Sequence, residues 1–97
     1  MMTVVGTSVN FSLTASSQST TITRPTIEGP SIHIANIGSD YVTVQLGTGS
    51  ATAVLKAGIT VPPNNQALID FPPKIDTIAV IGATTGNIVV ATPVVLR

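Results

Sequence analysis

The chain has 97 residues, a net charge of zero, no cysteine, and 8% charged against 43% hydrophobic residues. That length holds one domain, whose fold removes a little over ~60% of the unfolded surface from water. Disulfides and thiolate metal sites are excluded, and the four scattered cations (Arg24, Lys56, Lys74 and Arg97) cannot form the clustered basic surface that nucleic acid requires.

From the N-terminus, Val9, Phe11 and Leu13 alternate with Asn10, Ser12 and Thr14, the period of a strand with one buried face. The opening "MMTVVGTSVN" has no basic n-region, and no apolar run reaches the ~18–20 residues of a membrane helix, so no membrane partner or export route is expected. Residues 15–23, "ASSQSTTIT", read as a polar edge strand or a flexible connection. Pro25 and Pro30 bracket a corner. Within a single domain spanning 1–97, residues 1–30 are therefore expected to form an N-terminal arm or edge-strand region. Its one clear strand has too few neighbours to stand alone, and must pair with its own sheet or with another chain.

The next segment is the most regular. Ile32 and Ile34 share one face of "SIHIAN", and Val42, Val44 and Leu46 share one face of "YVTVQL". The intervening "NIGSD" supplies turn residues, so the two runs are expected to pair as a β-hairpin. "AVLKAGITVPP" and "QALIDFPP" read as short strands broken by prolines. Pro62, Pro63, Pro72 and Pro73 have no N–H to give, which confines them to strand ends, edges or corners. "GATTGN" at 82–87 is expected to join "IDTIAVI" and "NIVVATP" as a second hairpin. No window carries a helical period.

The fold expected is all-β: a small antiparallel β-sandwich, or a jelly roll in particular, of about seven or eight short strands, with a barrel as the other closed solution. Ile32, Ile34, Val42, Val44, Leu46, Ile69, Phe71, Ile78, Val80, Ile88 and Val90 are the positions expected to be buried.

Chemistry-bearing residues are sparse. "GTGS" at 47–50 lacks the Gly-Lys-Ser/Thr ending of a phosphate loop and precedes no helix. His33 is the sole histidine, with no nucleophile-elbow pattern to serve. Asp70 and Asp76 flank "FPPKI" and would have to converge across a cleft to act as paired acids; solvation of a turn is the expected role. Asn10-Phe11-Ser12 matches a glycosylation acceptor around a core phenylalanine. No catalytic residue, cofactor or metal is expected. The uncharged β-formers "IAVIGA" and "NIVVATPVVL" are prone to association if exposed, and shielding by oligomer contacts is expected.

Residues 31–92 run as "IANIGSDYVTVQLG", "TGSATAVLKAGITVPP", "ALIDFPP" and "TIAVIGATTGNIVVATP". This succession resembles small all-β virion proteins of tailed bacteriophages, of the capsid decoration (cement) or head-fibre-base type. The sequence departs from that pattern at "PPNNQ", where a Gly-containing turn is common, and it has no Gly-rich tail. The resemblance implies a non-enzymatic component of the virion, assembled in the host cytoplasm, whose partner is the major capsid protein or another virion protein and whose copies form a homo-oligomer. Val9, Phe11, Leu13 and Tyr41 are the interaction residues expected. The competing expectation is a tail or fibre module that recognises a host glycan or protein.

Overall fold

The computed structural model describes residues 2–13, 16–83 and 86–96, and so leaves Thr14, Ala15, Thr84 and Thr85 of the expected connections outside the described residues. Nine strands and no helix are present among the described residues. They are β1 (Met2–Val4), β2 (Val9–Ser12), β3 (Gln18–Thr21), β4 (Ser31–Ile37) and β5 (Val42–Gly47), then β6 (Ile59–Val61), β7 (Asn65–Asp70), β8 (Thr77–Gly82) and β9 (Ile88–Leu96).

The strands form two antiparallel sheets. Sheet A has the order β2-β9-β4-β7, with β1 continuing the β2 edge along β9, and sheet B has the order β3-β8-β5-β6. The pairings β2–β9, β3–β8, β4–β7 and β5–β6 nest like one long hairpin with β5–β6 at its tip. Successive strands from β2 to β5, and again from β6 to β9, alternate between the sheets. That nesting and strand order are the winding of a jelly roll.

Both expected hairpins are therefore corrected. β4 and β5 lie in different sheets, and so do β8 and β9. The reason is physical: alternation specifies only that one face of a strand is buried, and the facing sheet buries it as well as an adjacent strand does. At these corners side chains, not a hairpin ladder, satisfy the backbone. Asn36 and Asn87 are both 2% exposed, and both direct Nδ2 at the Asp40 carbonyl, at 2.9 and 2.7 Å. Gly38 makes the approach possible, since a Cβ there would overlap the Asn87 side chain.

The core lies between the sheets. Phe11, Ile32, Ile34, Val89 and Ala91 face it from sheet A, and Val42, Val44, Ile78 and Val80 from sheet B. Leu46 and Ile69 are half-buried and pack against this cluster. In β9 the expected face is wrong: Ile88 is 44% exposed and Val90 half-buried, whereas Val89 and Ala91 are fully buried. "NIVVATPVVL" is apolar at both parities, so its pattern does not choose a face. The register does, setting Val89 opposite Asn36 and Ala91 opposite Ile34, both inward positions of β4.

Residues 1–30 contribute β1 and β2 alongside β9 and β3 alongside β8, all within this chain. The break between β1 and β2 falls opposite Thr92 and Pro93. Proline cannot donate to the ladder, and residues 5–8 loop out there, with Gly6 against the Pro93 ring and the Ser8 hydroxyl 2.6 Å from that of Thr92. Pro62, Pro63, Pro72 and Pro73 fall outside the strands, as expected.

Candidate functional site

The outer faces of the two sheets differ. In sheet B, Thr43 and Ala79 alternate with the core positions Val42, Val44, Ile78 and Val80, so they point outward, yet both are 0% exposed. The β5–β6 connection covers them. Its Lys56 N–H donates to Thr43 Oγ1 (3.1 Å), and its Ala53 N–H donates to Ser17 Oγ (2.9 Å) next to β3. Ala53 itself is 3% exposed. The chain lays its own loop across this face.

Among the described residues, sheet A has no comparable cover over its centre. The register sets His33 opposite Leu68 and Thr92, Ala35 opposite Gln66 and Val90, and Ile37 opposite Ile88. These three outward rows contain no Asp, Glu, Lys or Arg. Of the eight large apolar side chains well exposed among the described residues, six (Met2, Val4, Ile37, Leu68, Ile88 and Leu96) belong to sheet A at outward positions. The other two, Val54 and Leu55, sit on the loop that covers sheet B. By register the six on sheet A fall in two groups, Ile37 with Ile88 at one end of β9 and Met2, Val4 and Leu96 at the other, with Leu68 on β7 and the polar positions His33, Thr92, Gln66, Ser31 and Asp70 between. Exposed apolar residues gathered on one face are a candidate contact surface.

At one end of this face lies a cleft of about 290 Å³ lined by Ala35, Asn36, Ile37, Asn64, Asn65 and Gln66. Asn36 anchors it: Nδ2 donates to the carbonyls of Asp40, Val61 and Pro62 at 2.9, 3.1 and 3.0 Å, tying the β4–β5 and β6–β7 corners together. Its Oδ1 is buried with no partner among the described residues. Asn64 holds a positive φ of 52° in the β6–β7 corner, a conformation that asparagine adopts more readily than other non-glycine residues. Gln66 Oε1 lies 2.6 Å from His33 Nε2.

The sequence-expected interaction residues do not form one surface. Phe11 and Leu13 are 5% and 1% exposed in this chain's own core, and Val9 packs against that core from the side. Tyr41 is half-buried in the β4–β5 corner, with Lys56 Nζ 5.7 Å from its ring centroid. What the N-terminal strand shows to solvent is the other parity, Asn10 and Ser12.

The two aspartates flanking "FPPKI" have separate roles. Asp70 ends β7 opposite Ser31. Asp76 Oδ1 accepts from the Gly49 N–H (2.7 Å) and the Thr77 hydroxyl (2.9 Å), and these bonds, Gly49 first, hold its carboxyl below the ordinary carboxylate value, with desolvation opposing. Its backbone carbonyl accepts from Ile22 N and its N–H donates to Gly47 O, so the residue fastens β3, β5 and β8 at one end. The "GTGS" loop is part of that turn. Among the described residues there is no cluster of three or more His, Asp or Glu that could hold a metal ion.

Sequence reading missed Asn36, Asn64, Asn65 and Gln66 as a group, because asparagines beside Gly or Pro read as turn formers. The one signal available was Asn64 where a glycine is common. No family model matches the sequence, and no curated protein matches it.

Proposed function

We propose that the chain is a structural virion protein, a capsid decoration module that seats the outer face of sheet A on the shell and reinforces it. The observation that carries this reading is the asymmetry of the sandwich: the chain covers the outer face of sheet B with its own loop and presents on sheet A a face with six exposed aliphatic residues and three uncharged central rows. Such a face docks by removing apolar area from water, at roughly 25 cal/mol per Å² before the costs of association.

Composition supports the same reading. Thr and Ser carry most of the polarity, and short side chains lose little entropy when immobilised in a lattice. A net charge of zero lets many copies crowd on one shell without mutual repulsion. The partner is the major capsid protein or a neighbouring virion protein, and the symmetry of the shell arranges the copies.

The test is mass spectrometry of density-purified particles from the phage that encodes the chain. The reading requires the protein in the particles at a copy number commensurate with the capsid subunits. Its absence from particles, or a handful of copies confined to the tail, rejects decoration and favours the tail or fibre module that recognises a host glycan or protein.

A further inference from the structure

The cleft beside Asn36 has a chemistry that shell attachment does not use. Four side-chain amides (Asn36, Asn64, Asn65 and Gln66) and two aliphatic groups (Ala35 and Ile37) line it, and none of the six carries charge. At about 290 Å³ it sits at the lower edge of the ~300–1,000 Å³ typical of small-molecule sites.

We propose that this cleft binds one uncharged sugar ring. Three features select that class. A carboxylamide presents both a donor and an acceptor, as a hydroxyl does, and offers a formal charge nothing to pair with. Asn36 Nδ2, Asn65 Oδ1 and Gln66 Oε1 already have partners within the protein, so the match to a ring of hydroxyls rests on the remaining amide groups. Asn36 lines the cleft, and its buried Oδ1 has no donor among the described residues, so a ligand O–H that reached this atom would satisfy it. Ile37, 57% exposed at the rim, supplies an apolar surface for the C–H face of the ring.

Asn64 holds a φ of 52°, a left-handed conformation that asparagine adopts more readily than other non-glycine residues, so the turn accounts for the residue and places its amide at the cleft. Asn64 and Asn65 lie outside the three outward rows of sheet A, whereas Ala35, Ile37 and Gln66 lie within them, so the cleft borders the contact face and shares Ile37 with it.

The experiment titrates the isotope-labelled protein with glucose, galactose and N-acetylglucosamine, each to tens of millimolar, using glycerol as a polyol control. Backbone and side-chain amide resonances are followed in the wild type, Asn64→Gly and Asn65→Ala. Binding of at least one sugar should produce saturable shifts confined to residues 35–37 and 64–66, with no saturable response to glycerol. Asn64→Gly keeps the turn and should retain thermal stability while weakening the sugar about tenfold, the size of one lost hydrogen bond. Asn65→Ala should act in the same direction. The proposal is overturned if none of the three sugars shifts these resonances, if glycerol saturates the same set, or if both variants bind as tightly as the wild type. Ala35, Ile37 and Gln66 belong to both the cleft and the outward rows of sheet A, whereas Asn64 and Asn65 belong to the cleft alone, so the effect of these two variants on sugar binding is read separately from shell attachment.

Discussion

Single residues at the strand ends explain how a chain this poor in charge holds a definite shape. Gly38 is the sharpest case, because a Cβ at that position would collide with the Asn87 side chain, which is itself committed to the Asp40 carbonyl. Gly38→Ala should therefore destabilise by about 1–3 kcal/mol, the cost of an overpacked interior, read as a shift in urea midpoint at unchanged slope. Gly49→Ala is a different control: it sits at a positive φ of 77° with nothing within 4 Å of where a Cβ would lie, so its cost is conformational and not steric. Asp76 makes a pH prediction. Its carboxyl is lowered by the Gly49 and Thr77 hydrogen bonds, so its contribution is present above the ordinary carboxylate value and is lost as pH falls through the lowered folded value. Asp76→Asn should be less stable than the wild type at neutral pH, with the gap closing as pH falls through the lowered folded value. A gap that stays constant across that range would show that the charge contributes nothing.

Among the strands, the sequence is informative wherever only one parity is apolar. Ile32 and Ile34 in β4 and Val42 and Val44 in β5 face the core as the alternation indicates, and Ile78 and Val80 in β8 do so although Ala79 and Ile81 are apolar at the other parity. The pattern is silent on partners. "NIGSD" looks the same whether it reverses a strand within a sheet or carries it across the sandwich, and what decides is a side chain from distant Asn87 that no local window contains. β9 misleads for another reason, since apolar residues at both parities leave the face to the register with β4. The candidate cleft is illegible in sequence because Asn36 and residues 64–66 are brought together by a β4–β7 pairing some thirty residues apart. The β9 register makes its own prediction. Val89→Asp, which buries a lone charge, should unfold the domain or cost several kcal/mol. Ile88→Asp, one residue away on the exposed face, should stay within about 0.5 kcal/mol. Equal effects in chemical denaturation would contradict the register.

The molecule as a whole is a jelly roll covered over the centre of sheet B by its own loop and presenting six exposed apolar side chains on sheet A. A contact made by that apolar face should be weakly dependent on salt, because its three central rows have no ion pairs to screen. Attachment to particles should change less than about threefold between 50 and 200 mM salt, whereas recognition through several phosphates would fall by orders of magnitude over the same range. The most direct measurement is add-back of purified protein to particles from a phage lacking its gene, comparing Leu68→Asp/Ile88→Asp on sheet A with Val54→Asp/Leu55→Asp on the loop over sheet B. All four side chains are well exposed in the free chain, between 37% and 58%, so neither pair should disturb folding. Docking through sheet A predicts that the sheet A pair lowers affinity by at least about a hundredfold, the effect of burying charge in an apolar contact, while the loop pair binds as the wild type does. Unchanged binding by the sheet A pair, or loss confined to the loop pair, would contradict it.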